Sequence, residues 1–171
     1  MPGKKLLFMG GEIGQRREWS EESEVNWWLL DAGPYHIGTQ NWVRDLNAFY
    51  QREPALWRGD YESDGFWWVD CSDHGNSVLS FIRHDRESGH HVLAVLNLTP
   101  NPLRDYRVGV PLAGDWNEVL NSDAAIYGGG NVGNGGVVAA EDFSVQNQRY
   151  SVVLTLPPLG LVVFQAGAAG A

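Results

Sequence analysis

The feature that most constrains the fold of this chain is a series of short apolar segments separated by turn-forming residues between positions 76 and 136. Apolar-rich segments at residues 77–84 and 91–98 flank a polar turn, and further segments follow with Gly, Pro, Asn and Asp at intervals of about ten residues. The apolar runs at residues 150–156 and 161–164 are predicted to be the closing strands. Such spacing is typical of antiparallel strands in a β-sandwich, so the sequence predicts a mainly β fold.

The first hairpin of this region alternates apolar and polar residues, and the alternation predicts which side chains share a face. One face is expected to carry Leu79, Phe81, Leu93 and Val95. Ser80 and Asn97 are expected at solvent or at the edge of the sheet.

One α-helix is predicted upstream of the sandwich, over residues 39–52. An apolar stripe at helical spacing, which is typical of a helix packed on a core, is formed by Trp42, Leu46, Phe49 and Tyr50. Thr39 suits the N-cap position, and Pro54 ends the helix at Glu53. Further upstream, the continuous apolar run at residues 6–9 suits a strand buried on both faces, as in a parallel barrel.

Charge and apolar patterning exclude several classes of protein. Asp and Glu number 21 against 12 Lys and Arg, giving a net charge of −9, which argues against nucleic-acid binding because a basic face is expected there. No apolar run approaches the roughly 20 residues that a membrane helix needs. Cys71 is the single cysteine, so no internal disulfide can form, and a cytoplasmic location is expected.

Several separated motifs resemble the C-terminal part of bacterial glycogen branching enzymes, and they occur in that family's order. In the β-rich part they are residues 95–100 (VLNLTP), 106–111 (YRVGVP), 116–123 (WNEVLNSD) and the glycine-rich stretch 127–136 (YGGGNVGNGG). Upstream they are residues 4–12 (KKLLFMGGE), 14–15 (GQ), 17–19 (REW) and 43–47 (VRDLN). Ile13 and Asn26 depart from the pattern, which usually has Phe and Asp there.

This resemblance implies a division of the chain. Residues 1–60 would be the end of a catalytic (β/α)₈ barrel, with residues 6–9 as its last strand, a loop, and the predicted helix. Residues 61–166 would be a C-terminal antiparallel β-sandwich of the α-amylase C-terminal type. Residues 167–171, which are small side chains only, would be a frayed tail.

The activity that the resemblance implies is 1,4-α-glucan branching in glycogen biosynthesis, which cleaves an α-1,4 bond and re-forms it as an α-1,6 bond. In that family the reaction is retaining and uses two carboxylates on earlier barrel strands. No catalytic residue is therefore assigned within this chain, which alone is expected to be inactive, and no cofactor or metal is implied. Two alternatives remain: another α-amylase superfamily enzyme, debranching or trehalose-forming, or a free-standing glucan-binding β-module.

The loop after residues 10–11 carries the candidate substrate contacts, because barrel loops at the carboxyl ends of strands hold the chemistry. Indole rings stack on the apolar faces of sugars, while amide and carboxylate groups take the hydroxyls. The candidate glucan-contacting residues are Glu12, Gln15, Trp19, Trp27 and Trp28. The alternative for the tryptophans is packing against the barrel and the sandwich. Expected partners are α-glucan, the rest of the barrel and, through the unpaired strand, a second copy of the chain.

Two further patterns are set aside as sites. The group around Cys71 (Asp70, Asp73 and His74) lacks the second ligand pair that a zinc site needs. Residues 128–133 match G-x-G-x-x-G, but no helix pattern follows, so a dinucleotide site is not predicted. The glycines there are expected to allow a long turn, whose backbone would be hydrogen-bonded by Asn121, Asp123 and Asn131.

Overall fold

The computed structural model of the protein describes residues 2–167. One α-helix, α1 (Pro34–Arg52), precedes the strands. These are β1 (Phe66–Asp73), β2 (Val78–His84), β3 (His91–Asn97), β4 (Leu103–Val110), β5 (Gly114–Asn121), β6 (Val137–Ala140), β7 (Tyr150–Leu156) and β8 (Gly160–Ala166). Short 3-10 helices occupy Gly11–Ile13, Trp27–Asp31, Pro54–Leu56 and Ala125–Tyr127. Within the described residues, no helix is both long enough and apolar enough to cross a bilayer.

The strands form two antiparallel sheets, which confirms the predicted mainly β architecture. One sheet has the strand order β1-β2-β3-β8-β5-β6, and the other pairs β4 with β7. The main core lies between the sheets and includes fully buried Trp116, Phe164 and Ile82. Burial of such large apolar side chains is the principal stabilising term for a fold of this kind.

The larger sheet is also covered on its other face, by α1. A second cluster of buried residues joins Phe49 of α1 to Val92, Leu120 and Val163 of the sheet, with Trp42 and Leu46 packed against it. The aromatic stripe of the helix is therefore core, as predicted. Because both faces of the central strands are apolar, simple alternation is weak evidence for which face is inside.

The predicted placement of Ser80 and Asn97 is wrong for this reason. Both side chains are fully buried. Ser80 stands opposite Val95 on the face toward the smaller sheet, whereas Phe81 stands opposite Ala94 on the helix side. The predicted grouping of Leu79 and Phe81 with Leu93 and Val95 thus mixes the two faces.

Residues 6–9 do not form the predicted strand; they run as irregular chain up to a turn at Met9. Leu6 is 87% exposed, and Leu7 and Phe8 are each more than half exposed. A parallel barrel strand gains its hydrogen bonds from neighbouring strands, and no strand within residues 2–167 pairs with this run.

The helix starts one turn earlier than predicted. Pro34 occupies its first turn, where a missing N–H costs nothing, and Thr39 is inside the helix with its Oγ1 donating to the Tyr35 carbonyl. The end is as predicted, with Glu53 in extended conformation before Pro54. Strand β6 was not predicted. Of the predicted frayed tail, residues 168–171 lie outside the described residues, and the Gly167 N–H donates to the Asp115 carbonyl at 2.7 Å.

The glycine-rich stretch is a long turn whose backbone is hydrogen-bonded by Asn121, Asp123 and Asn131, as predicted. Asp123 accepts hydrogen bonds from the N–H groups of Gly130 and Val132, both at 2.9 Å, while Asn121 donates to the Val132 carbonyl. Asn131 adopts φ 61°, a left-handed conformation that Asn tolerates. The turn carries Tyr127 onto α1, where the Tyr127 carbonyl lies so close to Gly38 that a Cβ there would be 2.2 Å from it.

Buried polar contacts also connect the helical part to the larger sheet. The Glu53 carboxylate accepts from Gln165 Nε2 at 2.6 Å and lies 3.0 Å from His90 Nδ1. Asp60 pairs with the buried Arg83 guanidinium at 2.6 Å. The chain around residues 53–60 is therefore fixed to the sandwich by polar groups as well as by α1.

Candidate functional site

The segment 10–33, called here the aromatic loop, is held in place by a small core of its own. Ile13 is fully buried against Val25 and Leu29. Gly10 and Gly14 bound the first 3-10 helix with φ of 84° and 63°, which non-glycine residues rarely adopt. These two turns fold the loop back on itself beside the start of α1.

Gln15, one of the predicted substrate contacts, is used by the loop itself. Its Oε1 accepts from the Asn26 backbone N–H at 2.8 Å, and its Nε2 donates to the Arg17 carbonyl at 2.9 Å. The Oε1 contact thus ties the two arms of the loop together, and the Nε2 contact holds the turn between Gln15 and Arg17. Glu12 is half-buried in the first 3-10 helix.

All three predicted tryptophans of the aromatic loop are substantially exposed. Trp19 is 48% exposed and meets the Phe8 ring edge-on, with centroids 5.3 Å apart. Trp27 is equally exposed at the start of the second 3-10 helix. Trp28, at 63%, is the most exposed of the three and lines a cavity. Of the five predicted residues, Trp28 thus lies at a cavity, whereas Gln15 is hydrogen-bonded within the loop.

That cavity, called here the arginine cavity, has a volume of about 440 Å³. It is lined by Arg16, Arg17, Asn26, Trp28, Leu29, Ala32 and His36. A second cavity of about 320 Å³ adjoins it and shares the lining residues Arg16, Ala32 and His36. Together they run from the aromatic loop to the first turn of α1.

The polar groups of the arginine cavity are mostly unoccupied by protein partners. Among residues 2–167, no carboxylate forms an ion pair with Arg16 or Arg17, and neither guanidinium donates a hydrogen bond. His36 Nδ1 lies 2.7 Å from the Ile13 carbonyl and must therefore be the donor. This leaves Nε2 of His36 available to a ligand.

Reasoning from the sequence missed the cavity residues Arg16, Arg17, Asn26 and His36 as a group. The adjacent arginines in an acidic chain were an available signal. His36 was missed because the predicted helix began at Thr39, whereas Pro34 would have indicated the earlier start.

A separate apolar groove lies between α1 and the larger sheet, with a volume of about 430 Å³. Leu6 and Leu7 cross it beside Leu46 and Tyr50 of the helix and Phe81 of the sheet. The groups first considered as a metal site are engaged differently: Asp73 accepts from Tyr106 Oη at 2.7 Å and from Asn76. No metal-binding group of three or more His, Cys, Asp or Glu side chains occurs within residues 2–167.

Comparison with known proteins shows that the chain is similar in sequence to bacterial branching enzymes. The 1,4-alpha-glucan branching enzyme GlgB 2 of Xanthomonas campestris is 53% identical over 165 residues, which are 96% of this chain and 22% of that enzyme. The branching enzyme GlgB of Cupriavidus pinatubonensis gives the same figures. That of Cereibacter sphaeroides is 54% identical over 162 residues, covering 94% of this chain and 22% of the enzyme. The chain thus spans about a fifth of the length of these curated relatives.

The family profile described as "Alpha amylase, C-terminal all-beta domain" matches residues 68–167. This range begins inside β1 and contains every later strand, so it coincides with the two-sheet part of the fold. Because the profile covers more than half of the sequence, the chain belongs to the family of alpha-amylase C-terminal all-beta domains.

Proposed function

We propose that this chain is the C-terminal, glucan-contacting part of a 1,4-α-glucan branching enzyme of glycogen biosynthesis. Three branching enzymes are more than half identical to it over nearly its whole length. The single structural observation that carries glucan contact is the 63% exposed indole of Trp28 at a cavity lined by hydrogen-bonding side chains. An exposed ring costs no unpacking when a ligand stacks on it.

The proposed contacts have different roles. Trp28 stacks a glucose ring, and the amide of Asn26 beside it bonds hydroxyl groups. Trp19 and Trp27 offer further stacking surfaces along the aromatic loop. Gln15 positions the loop rather than the sugar, since both ends of its amide are bonded to backbone groups. Glu12 remains a proposed hydroxyl contact.

Titration of tryptophan fluorescence with a maltooligosaccharide tests glucan contact. Trp19→Ala, Trp27→Ala and Trp28→Ala are each expected to reduce the response. Trp57→Ala is the matched control, because Trp57 is 39% exposed but lies outside the loop, under the Arg58 guanidinium. A response that survives all three loop substitutions would move the contact to the sandwich, with Trp67 and Trp68 as the residues to examine, since Trp116 is fully buried in the core.

We propose that the chain alone neither branches nor hydrolyses glucan. Retaining glycosidases place a nucleophile and an acid about 5 to 5.5 Å apart on a rigid frame. The carboxylates of the aromatic loop are on a single irregular segment, and none is supported by an opposing strand. Amylose stained with iodine should keep its absorbance after incubation with the pure chain; a time-dependent loss absent from mock purifications would refute inactivity.

We propose the division made from the sequence, with residues 1–60 as the end of a barrel, 61–166 as the sandwich and 167–171 as a tail. The run Leu6 to Phe8 is exposed beside the apolar groove, which supports a contact surface there. In the proposed parent enzyme this surface contacts the rest of the barrel, and in the isolated chain it contacts a second copy of the chain. Light scattering coupled to size exclusion, with Leu6→Ser and Leu7→Ser as variants, tests whether the chain self-associates through this surface. A cytoplasmic location is proposed because Cys71 is an exposed free thiol.

A further inference from the structure

The arginine cavity carries a net positive charge in a chain of net charge −9. Its lining includes two guanidinium groups and no carboxylate. Elsewhere in the described chain most cationic side chains have acidic partners, as Arg58 has Asp85 and Glu87, and Arg107 has Glu141. Two neighbouring arginines without such partners repel each other unless an anion or solvent compensates them.

Neutral saccharide does not explain this arrangement. Hydroxyl groups are bonded well by neutral amides and imidazoles, and Asn26 and His36 already provide these at the cavity. Guanidinium groups form their strongest contacts with planar or tetrahedral oxyanions, where two parallel N–H···O bonds are available. The lining therefore matches a ligand that has both a sugar ring and an anionic group.

We propose that the arginine cavity binds the phosphate group of a phosphorylated saccharide. Arg16 and Arg17 hold the phosphate monoester, Trp28 stacks the adjoining sugar ring, and Asn26 with His36 Nε2 bonds its hydroxyls. This deepens the proposed glucan contact and rests on it for the sugar part, because Trp28 serves both. The ligand class is an α-glucan or short maltooligosaccharide that carries a phosphoryl group.

Three ligands separate the components in calorimetric titrations of the 171-residue chain: maltohexaose, maltohexaose 6-phosphate and inorganic phosphate. The phosphate ester is expected to bind about tenfold more tightly than neutral maltohexaose, since one charge-assisted hydrogen bond is worth about one decade. Added salt is expected to shrink that difference and leave neutral binding unchanged.

Arg16→Gln and Arg17→Gln are each expected to remove most of the preference for the ester while keeping the affinity for neutral maltohexaose. Both side chains are exposed, so the variants are expected to fold, which circular dichroism checks. Arg104→Gln is the matched control, because Arg104 is also exposed and lacks an ion pair among the described residues, but it lies on β4. Trp28→Ala is expected to lower the affinity for the ester more than the affinity for inorganic phosphate.

Equal affinity of the ester and the neutral sugar, or a preference that persists in both arginine variants, would overturn the phosphate site and leave glucan contact standing. A second outcome is that the ester and inorganic phosphate bind, that both arginine variants abolish this binding, and that neutral maltohexaose does not bind. This outcome would support the phosphate site and count against the proposed glucan contact. Inorganic phosphate bound as tightly as the ester, with no effect of Trp28→Ala, would overturn the saccharide part.

Discussion

The Tyr127 hydroxyl donates a 2.8 Å hydrogen bond to Oδ2 of Asp45, joining residues 82 positions apart in the sequence. Burial and the neighbouring carboxylate raise the pKa of Tyr127 to about 12. Hydrogen bonds from Arg44 and Tyr127 in turn lower the pKa of Asp45. Trp42 meets the Tyr127 ring edge-on, with centroids 5.1 Å apart. The glycine-rich turn of the sandwich is thus fixed to the helix, and α1 is expected to unfold together with the sheets.

Removal of this hydroxyl should loosen the connection. Tyr127→Phe is expected to lower the free energy of unfolding by about 1 to 2 kcal/mol, the usual cost of a part-buried hydrogen bond to a charged group. Urea denaturation measures it. Tyr35→Phe is the control, since Tyr35 is 71% exposed and its hydroxyl has no bond within the described chain. Equal stabilities of the two variants would contradict the prediction.

Gly38→Ala separates helix propensity from packing, because the two have opposite signs. In a free helix the change would stabilise by about 1 kcal/mol. Here the new Cβ would lie 2.2 Å from the Tyr127 carbonyl oxygen, so we expect a loss of about 2 kcal/mol or more. Ala48→Gly, at an exposed position of the same helix, calibrates the propensity. A gain in stability for Gly38→Ala would show that the Tyr127 carbonyl leaves room for a Cβ at position 38.

Two fully buried serines should respond to alanine in opposite directions. Ser80 Oγ has no hydrogen-bond partner in the described chain, so Ser80→Ala is expected to stabilise by about 1 kcal/mol. Ser151 Oγ donates to the Phe143 carbonyl and accepts from Arg107, both at 2.8 Å. Ser151→Ala is therefore expected to destabilise by about 1 to 3 kcal/mol. Thermal unfolding compares them, and a loss for Ser80→Ala would point to a bound water at that hydroxyl.

The pair of Asp60 and Arg83 gives stability a defined dependence on pH. Burial works to raise the pKa of Asp60, but hydrogen bonds from Arg83 and Lys5 hold it below its ordinary value of 3.8. Because the folded pKa is lower than the unfolded one, the stabilisation is complete above the ordinary value and is lost as pH falls through the folded pKa. Asp60→Asn should cost about 3 kcal/mol at about pH 7, since it removes one partner of a buried ion pair, and less at an acidic pH at which the Asp60 carboxylate is protonated.

The control for this titration is Asp31→Asn, an exposed carboxylate without a hydrogen bond or ion pair in the described residues. Its effect should stay within about 0.5 kcal/mol at both pH values. Urea midpoints at the two pH values give the change in stability for each of the two variants at each pH. A cost for Asp60→Asn that is the same in acid and at neutral pH would contradict the assignment.

Trp28 is expected to matter more for saccharide binding than Trp27. Both rings are exposed, but only Trp28 lines the arginine cavity, where a stacked sugar would also meet polar groups. Trp28→Ala should weaken maltooligosaccharide binding about fivefold or more, and Trp27→Ala less, since stacking is worth about 0.5 to 1.5 kcal/mol. Calorimetry measures both. A larger loss for Trp27→Ala would place the sugar outside the cavity.

The strands of the sandwich were predictable because their turns are marked by Gly, Pro, Asn and Asp, and because local alternation sets their length. Which face each strand presents was not predictable, since α1 covers the second face of the larger sheet and makes both faces apolar. Ser80 and Asn97 were misplaced for that reason. Strand β6 is four residues long and follows a run of glycines, so it carries little signal of its own.

The candidate site was predictable only as a segment. Aromatic and amide residues at 12–28 indicated a sugar-contacting loop, but the sequence does not show that Gln15 is used by the backbone or that His36 reaches the loop from α1. Residues 6–9 show that composition alone can predict a strand that does not form. Their composition is that of a buried strand, but strand formation depends on partners that are not among residues 2–167.

Strand β8 lies between β3 and β5 in the larger sheet, although all its sheet neighbours precede it in the chain. During synthesis, at about 5 to 20 residues per second, β1–β3 and β5–β6 leave the ribosome before the strand that unites them. Each half then presents an open edge on the side that β8 later occupies, which is a hazard for pairing with other chains. A premature stop codon between residues 141 and 160, after β6 and before β8, would therefore yield two unjoined half-sheets rather than a smaller stable domain.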